Sequence, residues 1–206
     1  MYKVKSIIMS ESYSHAETLG KIIRGRRSIK PGQFSGEIIA DEAISFILDS
    51  ARWAPTHALT QPWRFTVISS EGILRFADFM QATYQEQTPP DKFNVLKYEK
   101  LGNSLKTCSH IILIGMKRQD IQKLPEWEEL AAVSSAVQNM QLMATALDVA
   151  CYWSSGGVST HKAMLPWLNL SENDKALGML LMGKSDVEPS VPERKPIDYY
   201  TNFIDK

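Results

Sequence analysis

The helical pattern from Trp127 to Leu147 constrains this chain most, because it is apolar on more than one side. Ala131, Ala132, Val133, Ala136, Val137, Met140, Leu142, Met143, Ala144 and Leu147 cannot all lie on one stripe. Such a helix has to be enclosed, inside a domain or between subunits. Around it stand three further apolar runs. Ser109 to Gly115 and Ala176 to Gly183 read as buried strands, and Val149 to Trp153 as a shorter one. Phe65 to Ile68 makes a fourth short strand. With 206 residues there is enough chain for one domain with a sizeable core, and two would be cramped.

Helical spacing also marks His15 to Arg24, Ala40 to Arg52, a segment opened by Ser70 that runs through Met80, and Phe93 to Lys106. Strands and helices alternate irregularly, and Gly-x-Gly-x-x-Gly is absent, so a doubly wound dinucleotide-binding fold is not supported. Residues 1–14 read as an N-terminal extension and residues 15–206 as the single domain. Gln85 to Asp91, with Pro89-Pro90, reads as a loop and a candidate lid.

Lys plus Arg and Asp plus Glu both total 23, so the net charge is zero and nothing suggests the broad basic field of nucleic-acid or anionic-membrane binders. Neither partner is expected. Cys108 and Cys151 lie far apart in apolar runs and read as buried thiols. The four histidines have no ligand cluster beside them, so no metal site is expected. With no signal peptide and no apolar run of membrane-spanning length, a reducing cytoplasm is the default location.

Chemistry concentrates in Ala54-Pro55-Thr56-His57-Ala58-Leu59-Thr60-Gln61-Pro62-Trp63-Arg64-Phe65. The prolines make it a stiff loop that holds Thr56, His57, Thr60 and Gln61 in set directions, although an ordinary helix-to-strand connection would read the same way. Two cationic loops, Arg26-Arg27-Ser28 and Arg194-Lys195, and the turn Trp153-Ser154-Ser155-Gly156-Gly157 complete the set. A phosphate monoester calls for guanidinium and hydroxyl donors, and a flat heterocycle for an apolar wall with donors along its edge. Taken together, the set reads as a phosphate grip and a ring platform.

In its order of landmarks the sequence resembles the nitroreductase family, most of all its small, minimal branch. These landmarks are Arg26-Arg27-Ser28-Ile29 after the first helix, Ala54-Pro55-Thr56-His57 through Gln61-Pro62-Trp63-Arg64-Phe65, Ala136-Val137-Gln138-Asn139-Met140 in a long helix, Trp153-Ser154-Ser155-Gly156, and Arg194-Lys195-Pro196. The resemblance implies an α+β fold, a three-layer α-β-α arrangement with a central mainly antiparallel sheet, and an intertwined homodimer with two FMN sites at the subunit interface. It further implies that Arg26, Arg27 and Ser28 contact the FMN phosphate and ribityl chain. Trp153, Ser154 and Ser155 would lie along the flavin, His57 and Trp53 would reach in from the partner, and Arg194 would supply a second phosphate contact. Ser154 and Trp53 depart from residues common in close relatives, which bears on the acceptor more than on the cofactor.

The activity implied is reduction of nitroaromatics, quinones or similar electron-poor acceptors with NADH or NADPH, by a ping-pong mechanism in which one open flavin face serves both substrates. No side chain is required as nucleophile, acid or base. Two other readings remain open at this point: a flavin-binding or storage protein without reductase activity, and a flavin-dependent oxidase or dehydrogenase on the same scaffold.

Overall fold

The apolar runs become the strands of one sheet, whose order is β1-β2-β4-β3. These are β1 (Trp63–Ser69), β2 (His110–Met116), β3 (Ala150–Ser154) and β4 (Lys175–Gly183). Every pairing between them is antiparallel, which makes the sheet more regular than the mainly antiparallel one expected. The computed structural model describes residues 11–121 and 123–204.

Strand alternation splits the apolar side chains between two cores. Ile112, Ile114, Met116, Leu180, Met182 and Cys151 face α2 (Asp41–Ala51) and α5 (Glu126–Ala146). Ile111, Leu113, Met179 and Leu181 face α3 (Glu71–Gln87) and the short turns after β3. Leu105 of α4 (Val95–Lys106) belongs to this second core. Both faces of the sheet are therefore covered, which explains why β2 is buried along its whole length and reads as a continuous apolar run.

The remaining helix, α1 (Glu11–Gly25), packs on α5. It begins four residues before the periodic pattern, so residues 11–14, expected in the extension, are helical; residues 1–10 fall outside the described part of the chain. The expected loop at 85–91 is also shorter, because α3 continues through Gln87. Beyond it the chain is pinned by the Asn94 N–H, which donates to the Tyr84 hydroxyl at 3.2 Å, and by Phe93 between Tyr84 and Tyr98.

Enclosure of α5 by its own chain is incomplete. Its inner positions, Val133, Ala136, Val137 and Met140 among them, are fully buried, whereas Trp127 and Leu130 remain exposed. Exposed Leu19, Ile23, Phe46 and Trp53 extend the apolar outer surface on neighbouring elements. Cys108 and Cys151 are buried free thiols. Burial pushes the Cys108 thiol up to about 12 against a hydrogen bond from the Met182 backbone, and the Cys151 thiol up to about 11 against the nearby Arg26 charge.

Candidate functional site

The segment carrying the two arginines runs along the free edge of β3. Ser28 forms a parallel bridge with Cys151, and the Ile29 N–H donates to the Cys151 carbonyl at 3.0 Å. Arg26-Arg27-Ser28 is thereby set within a few residues of Trp153-Ser154-Ser155, two groups that are more than a hundred positions apart in sequence. Lys30 follows, at the head of a short 3-10 turn (Pro31–Gln33), and the Pro31 carbonyl accepts a hydrogen bond from Thr107 at the end of α4.

Between this turn, β3 and α4 lies a groove of about 540 Å³. Leu101, Leu105, Tyr152, Met179 and Leu181 supply its apolar wall, while Lys30, Lys97, Lys100, Gln33, Ser104 and Ser154 supply polar groups. A flat heterocycle with an anionic tail matches this division between wall and rim.

The two arginines differ in their commitments. Arg27 donates through Nη1 to the carbonyls of Arg24 (2.6 Å) and Arg26 (2.9 Å), and through Nε to the carbonyl of Ser190 (3.2 Å). It ties the end of α1 to the C-terminal tail. Arg26 is half-buried, and its guanidinium makes no hydrogen bond or ion pair among the described residues. Of the pair, Arg26 has the greater capacity left for an anion. Arg194 is exposed on the tail, four residues beyond the Ser190 that Arg27 holds.

Strand parity separates Trp153 from Ser154. The Trp153 ring packs with the α2/α5 core and its indole N–H donates to the Leu177 carbonyl at 3.0 Å, so beside the groove it presents main chain. Ser154 lines the groove, and Ser155 is exposed at the end of the strand. Close approach here depends on Gly178, whose φ is +106° and where a Cβ would stand 2.2 Å from the Ser154 carbonyl oxygen.

Trp53 and His57 lie outside the groove of their own chain. Trp53 is 74% exposed beside Asp49, to which its indole N–H donates at 3.4 Å, and it flanks a shallow depression with Leu19, Phe46, Asn139 and Leu142. His57 Nδ1 sits 2.5 Å from Glu128 Oε2 of α5. The loop between them is stiff, as the two prolines imply: Thr56 Oγ1 accepts from the Gln61 N–H, and Ala58, Leu59 and Gln61 all have positive φ. Three such residues in one loop cost on the order of 1–3 kcal/mol each, and strain of this kind gathers at binding sites.

Lys30, Gln33, Lys97, Lys100 and Tyr152 line the groove, and sequence reasoning did not single them out as site residues. Lys30 directly follows the Arg26 to Ile29 landmark and could have been found there. The lysines of α4 resemble an ordinary solvated helix face and carry no local signal.

The sequence model of the Nitroreductase family matches residues 23–184. The chain belongs to this family. YfhC of Bacillus subtilis (strain 168), named as a candidate NAD(P)H nitroreductase, is 30% identical over 197 residues, covering 94% of this chain and 98% of that protein. A nitroreductase-like family protein from Bacillus cereus superposes with a TM-score of 0.75 at 24% identity, covering 91% of this chain and 96% of the other. A candidate nitroreductase from Desulfovibrio desulfuricans, crystallised with FMN, gives a TM-score of 0.67 at 26% identity, covering 90% and 96%. In this nitroreductase the family match takes in the groove and the stiff loop and stops at residue 184, before Arg194. No described helix is long and apolar enough to cross a membrane, and no cluster of three His, Cys, Asp or Glu among the described residues could hold a metal ion.

Proposed function

We propose that the chain is an FMN-dependent oxidoreductase that uses NADH or NADPH to reduce nitroaromatics, quinones or similar electron-poor acceptors by a ping-pong mechanism, as a cytoplasmic homodimer. The observation that carries this reading is the bridge between Ser28 and Cys151, which sets a cationic segment on the strand that lines an apolar groove of about 540 Å³. The donor set fits the cofactor: guanidinium and hydroxyl groups at Arg26 to Ser28, just before the Lys30 that lines the groove, for a phosphate, and Leu101, Tyr152 and Met179 in its lining for a flat ring. Support also comes from the FMN complex of the Desulfovibrio relative and from the nicotinamide named for the Bacillus subtilis one.

FMN held here would supply the redox chemistry, two-electron exchange between nicotinamide and acceptor. The protein binds, orients and shields. Arg26, with Arg27 and Ser28, would hold the phosphate end, and main-chain groups from Trp153 to Ser155 would hold the ring. A cation at the rim, Lys30 in particular, would favour negative charge on the ring and so ease reduction. Arg194, on the tail that Arg27 anchors, would supply a second phosphate contact.

His57 and Trp53 belong, in this reading, to the partner's site. Their position away from their own groove, on a strained loop beside an outward apolar surface, suits a site completed across a two-fold axis. Anaerobic mixing of the purified protein with NADH or NADPH tests the activity. Bleaching of the flavin band, followed by recovery on adding a nitroaromatic or quinone, is the expected result. A flavin that stays oxidised with both nicotinamides contradicts it and leaves a storage role.

A further inference from the structure

A second cavity, of about 330 Å³, continues past Gly156 and shares Lys97 and Leu101 with the main groove. Its one charged side chain is a cation. Lys97 Nζ stands 5.0 Å from the centroid of the Tyr84 ring and has no carboxylate within ion-pair distance among the described residues. His161 accepts the Ala163 N–H on Nδ1 at 3.2 Å, so its neutral ring carries the proton on Nε2, free to donate. At Gly157, with φ +60°, no atom lies within 4 Å of where a Cβ would be, so the space beside it is open. Gln87 and Thr88 are neutral, and no acidic side chain lines the cavity. Leu101, Val158 and the ring of Tyr84, whose hydroxyl is engaged by the Asn94 N–H, supply its apolar walls.

An ammonium and an imidazole N–H around an apolar slot select for anionic oxygens attached to a ring. Resting on the flavin reading above, we infer that this cavity receives the carboxylate of an aromatic electron acceptor, with Lys97 as its counter-ion and the ring lying toward Gly156. The acceptor class is thereby narrowed to electron-poor aromatic acids. Lys97 lines both cavities, so one ammonium serves the place where they join. An anionic group could also come from the donor, as the 2′-phosphate of NADPH, and one experiment separates the two sources.

The test uses flavin-loaded protein and two acceptors, 4-nitrobenzoate and its methyl ester, which differ in the charge. The ratio of their kcat/KM values, taken for wild type, Lys97→Met and Lys97→Arg, cancels any general loss of activity. Lys97→Met should lower the acid-to-ester ratio by about ten- to a hundredfold, the usual worth of a hydrogen bond to a charged group. Lys97→Arg should restore most of it. An unchanged ratio in Lys97→Met overturns the inference. So does a change confined to the NADPH-to-NADH ratio of anaerobic flavin bleaching, which would assign the cation to the donor's phosphate. Flavin that binds but is bleached by neither nicotinamide removes the reductase reading itself, and the acceptor inference with it.

Discussion

His57 Nδ1 and Glu128 Oε2 lie 2.5 Å apart, joining the stiff loop after α2 to the first turn of α5 across 71 positions of sequence. The contact fixes which imidazole nitrogen remains available, since with Nδ1 engaged only Nε2 can face a ligand. A half-exposed pair of this kind contributes little to stability, roughly 0.2–1 kcal/mol. Glu128→Gln should therefore cost no more than about 1 kcal/mol in urea unfolding. If His57 serves the partner's flavin, the same variant should raise the Kd for FMN several-fold. An unchanged Kd would mean that the pair only braces the loop.

Two glycines, Gly178 in β4 and Gly156 in the turn after β3, distinguish a packing requirement from a ligand requirement. At Gly178 the positive φ and the Ser154 carbonyl both forbid a side chain, so Gly178→Ala should lose on the order of 2 kcal/mol or more and displace the end of β3. At Gly156 a Cβ would meet nothing within 4 Å. Gly156→Ala should unfold like wild type, and if an acceptor ring fills the space beside it, kcat/KM for 4-nitrobenzoate should still fall. An unchanged kcat/KM in Gly156→Ala would place the acceptor elsewhere.

How much of this arrangement the sequence discloses depends on the range of the interaction involved. Strands β2 and β4 and helix α5 are visible because burial on two sides leaves an unbroken apolar signature in a single segment. The start of α1 is hidden, since Glu11, Ser12 and Ser14 are polar and dilute the period. Strand parity was available for Trp153: with Cys151 and Trp153 on one face and Tyr152 and Ser154 on the other, Tyr152 rather than Trp153 faces the groove. The roles of Lys97 and Lys100 were not available, because a lysine on a solvated helix face and one on a groove rim have the same neighbours in sequence. The His57 to Glu128 pair and the Ser28 to Cys151 bridge are tertiary relations with no local trace.

Acid should act partly through Asp174. Burial pushes its carboxyl up, but the backbone N–H groups of Ser171 and Arg118, with the Ser171 hydroxyl, outweigh burial and hold it below the ordinary value of 3.8. A lowered folded value means that the unfolded chain takes up the proton first. The associated stability is present above pH 3.8 and is lost as the pH falls through the lower folded value. Stability measured by urea unfolding between pH 5 and about 2 should decline in wild type and decline less steeply in Asp174→Asn. Parallel curves would assign the acid lability to other carboxylates.

Both thiols should be silent in the folded protein. With the Cys151 value raised to about 11 and the Cys108 value to about 12, each is almost wholly protonated at neutral pH, and both are covered. A thiol reagent at pH 8 should titrate no cysteine in the native state and two in denaturant. Fast labelling of Cys151 in the native state would mean that the Arg26 to Ile29 segment leaves the edge of β3.

The central claim is that Arg26 and its neighbours hold the phosphate of FMN at the edge of β3. Arg27→Ala would confuse the test, since Arg27 also ties α1 to the tail. Arg26→Ala is cleaner, because that guanidinium makes no other hydrogen bond among the described residues. The direct measurement is a fluorescence titration of flavin-free wild type and Arg26→Ala with FMN and, separately, with riboflavin, which lacks the phosphate. The account predicts that the variant weakens FMN binding by about ten- to a hundredfold and riboflavin binding by much less, the difference being a hydrogen bond to a charged group. Equal losses for the two ligands, or no loss for either, would contradict it.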